Sequence, residues 1–229
     1  MDNPDGYKTG HYLGLDLGQS SDPSALTVTE KRTPYELDPT RSYGDPRFTV
    51  VHIDRFDLGT PYPEVVRRVA AVQRAPETGD DPPLVMDATG IGAPVVDQFR
   101  EEGLNPVRIK FTGGQNVNRD GRTHKVPKQD LATTVQSLLQ ARRLTIAEGL
   151  DLAGQLVREM KQFRVKVSDS GHARFEHATE SESDDVLLSL ACALWYAERG
   201  IAAPGSSATS PTRGPASARK ERRGLVRNR

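Results

Sequence analysis

Apolar residues recur along the first quarter of the chain in the alternating or continuous runs that are typical of strands. Such runs predict three strands, over residues 11–18, 24–32 and 47–56, with a loop rich in Pro, Asp, Tyr and Gly between the last two. The second run is also β-branched, which favours a strand. Because consecutive strands joined by short connections pair antiparallel, we expect these three to form a meander.

Strands and amphipathic helices alternate in the rest of the chain. A helix is predicted to begin at Thr60 and Pro61, and residues 113–126 are predicted to form a polar, Gly-rich loop. The remaining elements are strands over 84–88 and 107–111, helices over 93–102, 128–143, 150–163 and 184–199, and a hairpin over 164–176. A meander followed by such alternation predicts an α/β fold, with a mixed sheet and helices on both of its faces.

The charge is divided unequally between the two ends of the chain. The net charge is zero, but residues 1–199 carry −6 and residues 200–229 carry +6. We expect a flexible leader over 1–10, one domain over 11–199 and a basic, disordered tail over 200–229. An acidic body with a basic tail suits a cation-loaded centre beside a polyanion-binding arm, although a solvated terminal extension remains an alternative.

Composition excludes several classes of site. The apolar fraction of 35% and mean hydropathy of −0.59 are low for a compact enzyme, largely because of the tail. The single cysteine, Cys192, excludes an internal disulfide and a cysteine-based zinc site. The chain opens with no signal peptide, and no apolar run approaches the ~18 residues that a membrane span needs. We therefore expect a soluble, intracellular protein without a membrane partner.

Acidic residues stand where three apolar segments end or begin. Asp16 ends the run 12–16, Asp87 ends the run 83–87, and the pair Asp184 and Asp185 precedes a strongly apolar helix. Carboxylates are costly to bury and to crowd unless a positive charge lies between them. The pattern therefore predicts a site for hard divalent cations, of the kind used in phosphodiester chemistry.

Each acid also has a purely structural interpretation. Asp16 would be a polar strand end, Asp87 would cap the following turn or helix, and Asp184 would be the N-cap of the last helix while Asp185 binds metal. His177 lies seven residues before the acidic pair. It would either reach the site or remain a surface histidine of the hairpin.

Four segments, in order, resemble the nuclease domain of phage large terminases. They are 14–18 with 22–25, 87–92, 126–131 running into 141–146, and 184–191. The resemblance covers roughly residues 12–198, and the order of predicted elements is also that of a ribonuclease-H-like domain. It departs from the family at two positions. Ser183 stands where the family often has His, and Leu188 stands where it often has a further Asp.

The resemblance implies an endonuclease that cuts double-stranded DNA during viral genome packaging with two Mg²⁺ or Mn²⁺ ions. By position, Asp16 would bridge both ions, Asp87 would hold one ion, and Asp185, with Asp184 beside it, would hold the other. The chain contains no phosphate-binding loop of an ATPase motor. We therefore expect an isolated nuclease domain or split subunit in the host cytoplasm, working with an ATPase motor, a small terminase and a portal.

A cluster of basic residues precedes and begins the helix predicted over 128–143. It comprises Arg119, Arg122, Lys125 and Lys128, together with His124. Contacts with DNA phosphates are one interpretation of this cluster, and an ordinary solvated loop is the other.

Three other functions remain open at this point. The segment 13–20 also resembles the first phosphate turn of actin-like and sugar-kinase phosphotransferases, which need a second similar domain. A Holliday-junction resolvase or a transposase-type nuclease would share the fold and the acids. A non-catalytic assembly module would have no need of clustered acids, so the acids argue against it.

Overall fold

The structure is a computed structural model that describes residues 6–18, 22–34, 44–162, 164–167, 173–176 and 184–200. Within these residues, strands and helices alternate in one mixed α/β domain. The strands are β1 (Tyr7–Asp16), β2 (Ala25–Pro34), β3 (Arg47–Arg55), β4 (Leu84–Asp87), β5 (Val107–Thr112), β6 (Asn118–Asp120), β7 (Thr123–Pro127), β8 (Leu144–Ile146), β9 (Arg164–Val167) and β10 (Ala173–Glu176). The helices are α1 (Tyr62–Gln73), α2 (Ala93–Glu101), α3 (Lys128–Gln140), α4 (Ala153–Gln162) and α5 (Asp185–Glu198).

The predicted meander is present as β1, β2 and β3. β1 pairs antiparallel with β2 from Tyr7 opposite Pro34 to Asp16 opposite Ala25, and β2 pairs antiparallel with β3. The prediction that residues 7–10 belong to a flexible leader is wrong, because they pair with the far end of β2. Residues 1–5 of the predicted leader lie outside the described part of the chain.

The strands that follow the meander extend the sheet on both of its sides. β4 pairs parallel with β1, β5 with β4, and β7 with β5, while β8 pairs parallel with β3. The resulting strand order is β6-β7-β5-β4-β1-β2-β3-β8. The mixed sheet predicted from the sequence is therefore confirmed, with β1 in its interior.

The prediction of a loop over residues 113–126 is wrong in its second half. β7 pairs with β5 through five register positions, and β6 pairs antiparallel with β7 at the edge of the sheet. The short strand alternates, because His124 and Val126 are buried while Lys125 is exposed. The alternation is hard to recognise in the sequence because most residues of the segment are polar. The strand forms because β5 supplies its hydrogen-bonding partner.

Two helix boundaries also differ from prediction. α3 ends at Gln140, three residues early, because Arg142 adopts a left-handed φ of 54° and β8 begins at Leu144. α4 begins at Ala153 instead of residue 150.

Each face of the sheet carries its own apolar core, as predicted from helices on both faces. One core packs α1 and α2 against the sheet and includes Leu13, Leu15, Met86, Val69 and Phe99. The other packs α3, α4 and α5 against the opposite face and includes Val85, Ile109, Leu138, Leu156 and Trp195. α5 is buried on every side, which explains why it is apolar all round and not amphipathic.

Gly14 lets α5 cross β1 in backbone contact. A Cβ atom at this position would lie 1.9 Å from the Ser189 carbonyl oxygen and 2.7 Å from the Ser189 carbonyl carbon. Only glycine leaves room for this approach. The first turn of α5 is thereby held beside the carboxyl end of β1.

The two strands of the predicted hairpin, β9 and β10, pair antiparallel. His177, Ser183 and residues 201–229 lie outside the described residues. Across the part of the chain that the structure describes, no helix combines the length and apolarity that crossing a bilayer requires.

Candidate metal centre

Asp16 and Asp87 stand side by side at the carboxyl ends of two neighbouring parallel strands. The register of β1 and β4 pairs Leu13 with Leu84 and Leu15 with Met86. The next residue on each strand is the aspartate, and adjacent strands lie about 4.8 Å apart. The pairing therefore makes neighbours of two carboxylates that are distant in sequence.

Both carboxylates face α5. Side chains two residues apart on a strand point to the same face of the sheet. Gly14, two residues before Asp16, faces the backbone of α5, and Val85, two residues before Asp87, belongs to the core that α5 shares. Leu15, which precedes Asp16, and Met86, which precedes Asp87, belong to the core on the other face of the sheet.

The N-terminus of α5 brings in the other two predicted acids. Asp184 occupies the N-cap position, but its side chain makes no capping hydrogen bond, and Asp185 is only 3% exposed. The cap comes from another helix, because Glu159 Oε2 of α4 accepts the Leu187 backbone N–H at 2.8 Å. The interpretation of Asp184 as a capping side chain is therefore not supported.

The four predicted acids interact electrostatically. Burial, followed by the negative charges of Asp87, Asp184 and Asp185, raises the pKa of the Asp16 carboxyl well above its usual range. Burial also raises the pKa of Asp87, although the hydrogen bond from the Thr89 N–H to its Oδ1 at 2.7 Å opposes this shift. Mutual repulsion among carboxylates is what a cation between them relieves.

Two cations of the chain reach this cluster. The charge of Lys128, the first residue of α3, lowers the pKa of both Asp16 and Asp87. Arg55 Nε, at the end of β3, donates to Asp185 Oδ2 at 2.6 Å. The other oxygen of that carboxylate, Asp185 Oδ1, is buried without a hydrogen-bond partner.

The acids are neighbours but do not yet enclose an ion. Within the described ranges, no three or more His, Cys, Asp or Glu side chains are arranged so that they could hold a metal ion. Repulsion between like charges and the ion pair from Arg55 to Asp185 both oppose closure. The donor set nevertheless suits a hard cation, because it consists of carboxylate oxygens and includes the unpartnered Asp185 Oδ1.

Comparison with known proteins bears on the fold. No protein-family model matches the chain, and no curated protein matches it. The large terminase nuclease of the thermophilic phage G20c with bound magnesium matches with a TM-score of 0.56 at 18% identity, over 84% of this chain and 82% of that one. This chain has the large-terminase nuclease fold.

Two further structures with the large-terminase nuclease fold come from different viruses. The nuclease domain of the Thermus phage P74-26 large terminase has a TM-score of 0.53 at 20% identity, covering 83% of this chain and 80% of that one. The human cytomegalovirus terminase nuclease domain, soaked with Mn and bound to an inhibitor, has a TM-score of 0.53 at 11% identity, covering 86% of each chain. These matches confirm the ribonuclease-H-like fold predicted from the sequence.

Two residues that contact the acidic cluster or the start of α5, Arg55 and Glu159, are not predicted from the sequence. Glu159 looks like a surface residue of an amphipathic helix, yet it is 5% exposed and burial raises its pKa to about 7. Its position three residues after the core residue Leu156 was the available signal. Arg55 ends a strand and carries no comparable signal, because its place depends on the register of β2 with β3.

The predicted nucleic-acid-binding residues separate into two groups on the terminase-nuclease fold. Lys128 begins α3 directly after β7, and its charge acts to lower the pKa of Asp16 and Asp87. Arg119, Arg122 and Lys125 lie on β6, β7 and the turn between them, at the edge of the sheet. Arg119 donates to the Gly121 carbonyl at 2.9 Å, and Lys125 is exposed.

His124 does not belong to this basic surface. It is 3% exposed, and its ring centroid lies 5.5 Å from that of Trp195 in an edge-to-face contact. Burial lowers its pKa, which favours the neutral ring. The interpretation of His124 as part of a basic loop that contacts DNA is therefore wrong, because the strand turns this side chain inward.

Proposed function

We propose that this chain is a metal-dependent endonuclease domain that cleaves double-stranded DNA during viral genome packaging, as part of a terminase large subunit. The observation that carries the proposal is the register of β1 with β4, which sets Asp16 beside Asp87 on the face where α5 begins with Asp184 and Asp185. The fold supports it, because structures of that fold include one with bound magnesium and one soaked with Mn.

The acids divide naturally between two ions. The charge of Asp16 interacts with Asp87 and with both acids of the α5 pair, so we assign Asp16 as the ligand that would bridge the two ions. Asp87 would hold one ion, and Asp185, with Asp184 beside it, would hold the other. Carboxylate oxygens select Mg²⁺ or Mn²⁺ over Zn²⁺. When bound, two such ions would supply a water molecule of lowered pKa and charge stabilisation for the leaving oxygen of a phosphodiester.

The protein itself supplies orientation and charge balance. The Thr89 N–H fixes one oxygen of Asp87, and Glu159 fixes the start of α5 from which the acidic pair projects. Lys128 favours the ionised form of Asp16 and Asp87. These contacts orient Asp87 and the first turn of α5, while closure of the acids around ions still requires them to move together.

DNA would be held mainly through its phosphates. Lys128 at the centre, and Arg119, Arg122 and Lys125 at the sheet edge, are the residues we assign to this contact, with the tail 200–229 as an additional basic arm. An ATPase motor domain or subunit, a small terminase and a portal are the partners that the proposal implies, in the cytoplasm of the host. Neither a junction resolvase nor a phosphotransferase is favoured by the structural matches.

A plasmid-cleavage assay tests the proposal. Supercoiled plasmid is incubated with the full chain and Mg²⁺, Mn²⁺, Ca²⁺ or chelator, and nicked and linear products are measured. We expect cleavage with Mg²⁺ or Mn²⁺, none with chelator, and loss of at least about a thousandfold in Asp16→Asn. The control Asp97→Asn, which alters an exposed acid paired with Arg100 on α2, should cleave like the parent chain.

Two results would contradict the proposal. Cleavage that survives in both Asp16→Asn and Asp87→Asn would remove the acids from the chemistry. Cutting of a four-way junction without any cutting of linear duplex would instead favour a resolvase.

A further inference from the structure

Arg55, Asp16 and Asp87 lie at matching positions on β3, β1 and β4, in one row of cross-strand neighbours. The register places Asp16 opposite Ala25 and Ala25 opposite Arg55, while Asp87 stands beside Asp16 on β4. Residues in one such row point to the same face, which here is the face that α5 covers. Ala25 is small and fully buried, so it leaves the Arg55 side chain space to reach α5.

Arg55 makes a short contact with only one of the two carboxylate oxygens of Asp185. Its Nε donates to Asp185 Oδ2 at 2.6 Å, where the Asp185 side chain is 3% exposed and the Arg55 side chain 30% exposed. The second oxygen, Asp185 Oδ1, is buried without a partner. A carboxylate this buried needs a positive partner, and one oxygen of Asp185 remains unsatisfied.

A divalent cation and the Arg55 guanidinium compete for the same carboxylate. Both are positive, and at ion-pair distances inside a protein their repulsion is strong. A cation that binds Asp185 therefore weakens the hold of Arg55 on Oδ2. The released guanidinium is partly exposed beside the site, and its planar fork of donors matches a phosphate group.

We propose that Arg55 is a positioning residue that neutralises Asp185 in the metal-free site, yields it to a divalent cation, and then pairs with a phosphate of the bound DNA. This inference rests on the proposed nuclease function and adds a coupling to it. Bound DNA draws Arg55 away from Asp185, where Arg55 competes with the metal. The bound metal in turn releases Arg55, which can then contact a DNA phosphate. Each therefore strengthens the binding of the other, as linkage requires.

Calorimetric titration of the full chain with Mn²⁺, in the absence of DNA, tests the first step. Arg55→Gln keeps a hydrogen-bond donor for Asp185 but removes the charge, so we expect Mn²⁺ to bind at least about tenfold more tightly. Arg55→Lys keeps the charge and should stay within about threefold of the parent chain. A melting curve without metal checks that each variant is folded.

The matched control is Arg68→Ala. Arg68 pairs with Asp54, the neighbour of Arg55 on β3, at 2.6 Å, and Asp54 precedes Arg55 so that its side chain points to the opposite face. Removal of this ion pair should leave the Mn²⁺ affinity unchanged. A general effect of weakening β3 would alter both variants alike and would overturn the inference.

The second step is tested with Ca²⁺ titrations with and without a saturating short duplex. We expect DNA to raise the Ca²⁺ affinity of the parent chain and to raise that of Arg55→Gln much less. Equal or weaker Mn²⁺ binding by Arg55→Gln, or an undiminished effect of DNA in that variant, would overturn the inference while leaving the nuclease function intact. A parent chain that neither binds Mn²⁺ nor cuts plasmid would overturn both.

Discussion

Replacement of Gly14 by alanine tests whether backbone contact between β1 and α5 positions the acids. The added Cβ would lie 1.9 Å from the Ser189 carbonyl oxygen and 3.1 Å from the Ala193 Cβ. α5 would have to retreat by about 1–1.5 Å to restore ordinary contact distances, since protein cores are close-packed. Overpacking of this kind costs about 1–3 kcal/mol. At about 2–4 °C per kcal/mol for a domain of this size, Tm should fall by about 2–12 °C.

The assay is thermal unfolding with and without Mn²⁺, compared with Gly10→Ala. Gly10 lies on the same strand and face as Gly14, but a Cβ there would meet only Tyr12, at 4.0 Å. We expect Gly10→Ala to melt within about 1 °C of the parent chain or slightly above it, because alanine restricts the unfolded state. Gly14→Ala should also gain less stability from Mn²⁺, since the displacement of α5 separates Asp185 from Asp16. Equal melting of the two variants would refute this reasoning.

Three other variants test separate contacts. Burial raises the pKa of Glu159 from 4.5 to about 7, so the stability that its protonated form contributes is full below about pH 4.5 and lost as pH rises through about 7. Glu159→Gln, melted in chelator, should flatten that fall, and an unchanged slope would contradict the assigned cause. Lys125→Gln should reduce the salt dependence of DNA binding in filter assays by at most about one unit of log–log slope, and no change would exclude a phosphate contact. Arg143→Ala removes a two-bond ion pair with Glu198 at 2.9 and 3.0 Å and a hydrogen bond to the Pro46 carbonyl at 2.7 Å, so urea unfolding should show a loss of about 1–2 kcal/mol, whereas a loss near zero would mean that water replaces these contacts without cost.

The order of elements was predictable from the sequence because its signals are local. Alternation within residues 24–32 and 47–56 suffices for the antiparallel strands, and the all-apolar run after Asp185 suffices for a buried helix. The strands β6 and β7 were missed because they are short and polar, and pairing with β5 decides their conformation. Residues 7–10 were missed for the same reason, since β2 provides their partner.

The candidate site was predictable only as far as its acids. Asp16 and Asp87 end apolar runs, and this places them at strand ends before any pairing is known. Arg55 reaches the same place through the register of β3, and no local pattern encodes this register. The spacing from Leu156 indicates that Glu159 is buried, but its contact with α5 depends on the packing of α4 on α5. The sequence therefore predicts the negative charge of the centre but not the residues that orient and neutralise it.

Anomalous diffraction from crystals grown with Mn²⁺ tests most directly whether these acids share divalent ions. We expect two manganese peaks about 3.5–4 Å apart, with Asp16 between them, Asp87 on one and the Asp184–Asp185 pair on the other. The same experiment on Asp16→Asn should show the loss of at least one peak. Manganese bound elsewhere on the chain, or no manganese at these carboxylates, would contradict the assignment of a two-ion centre.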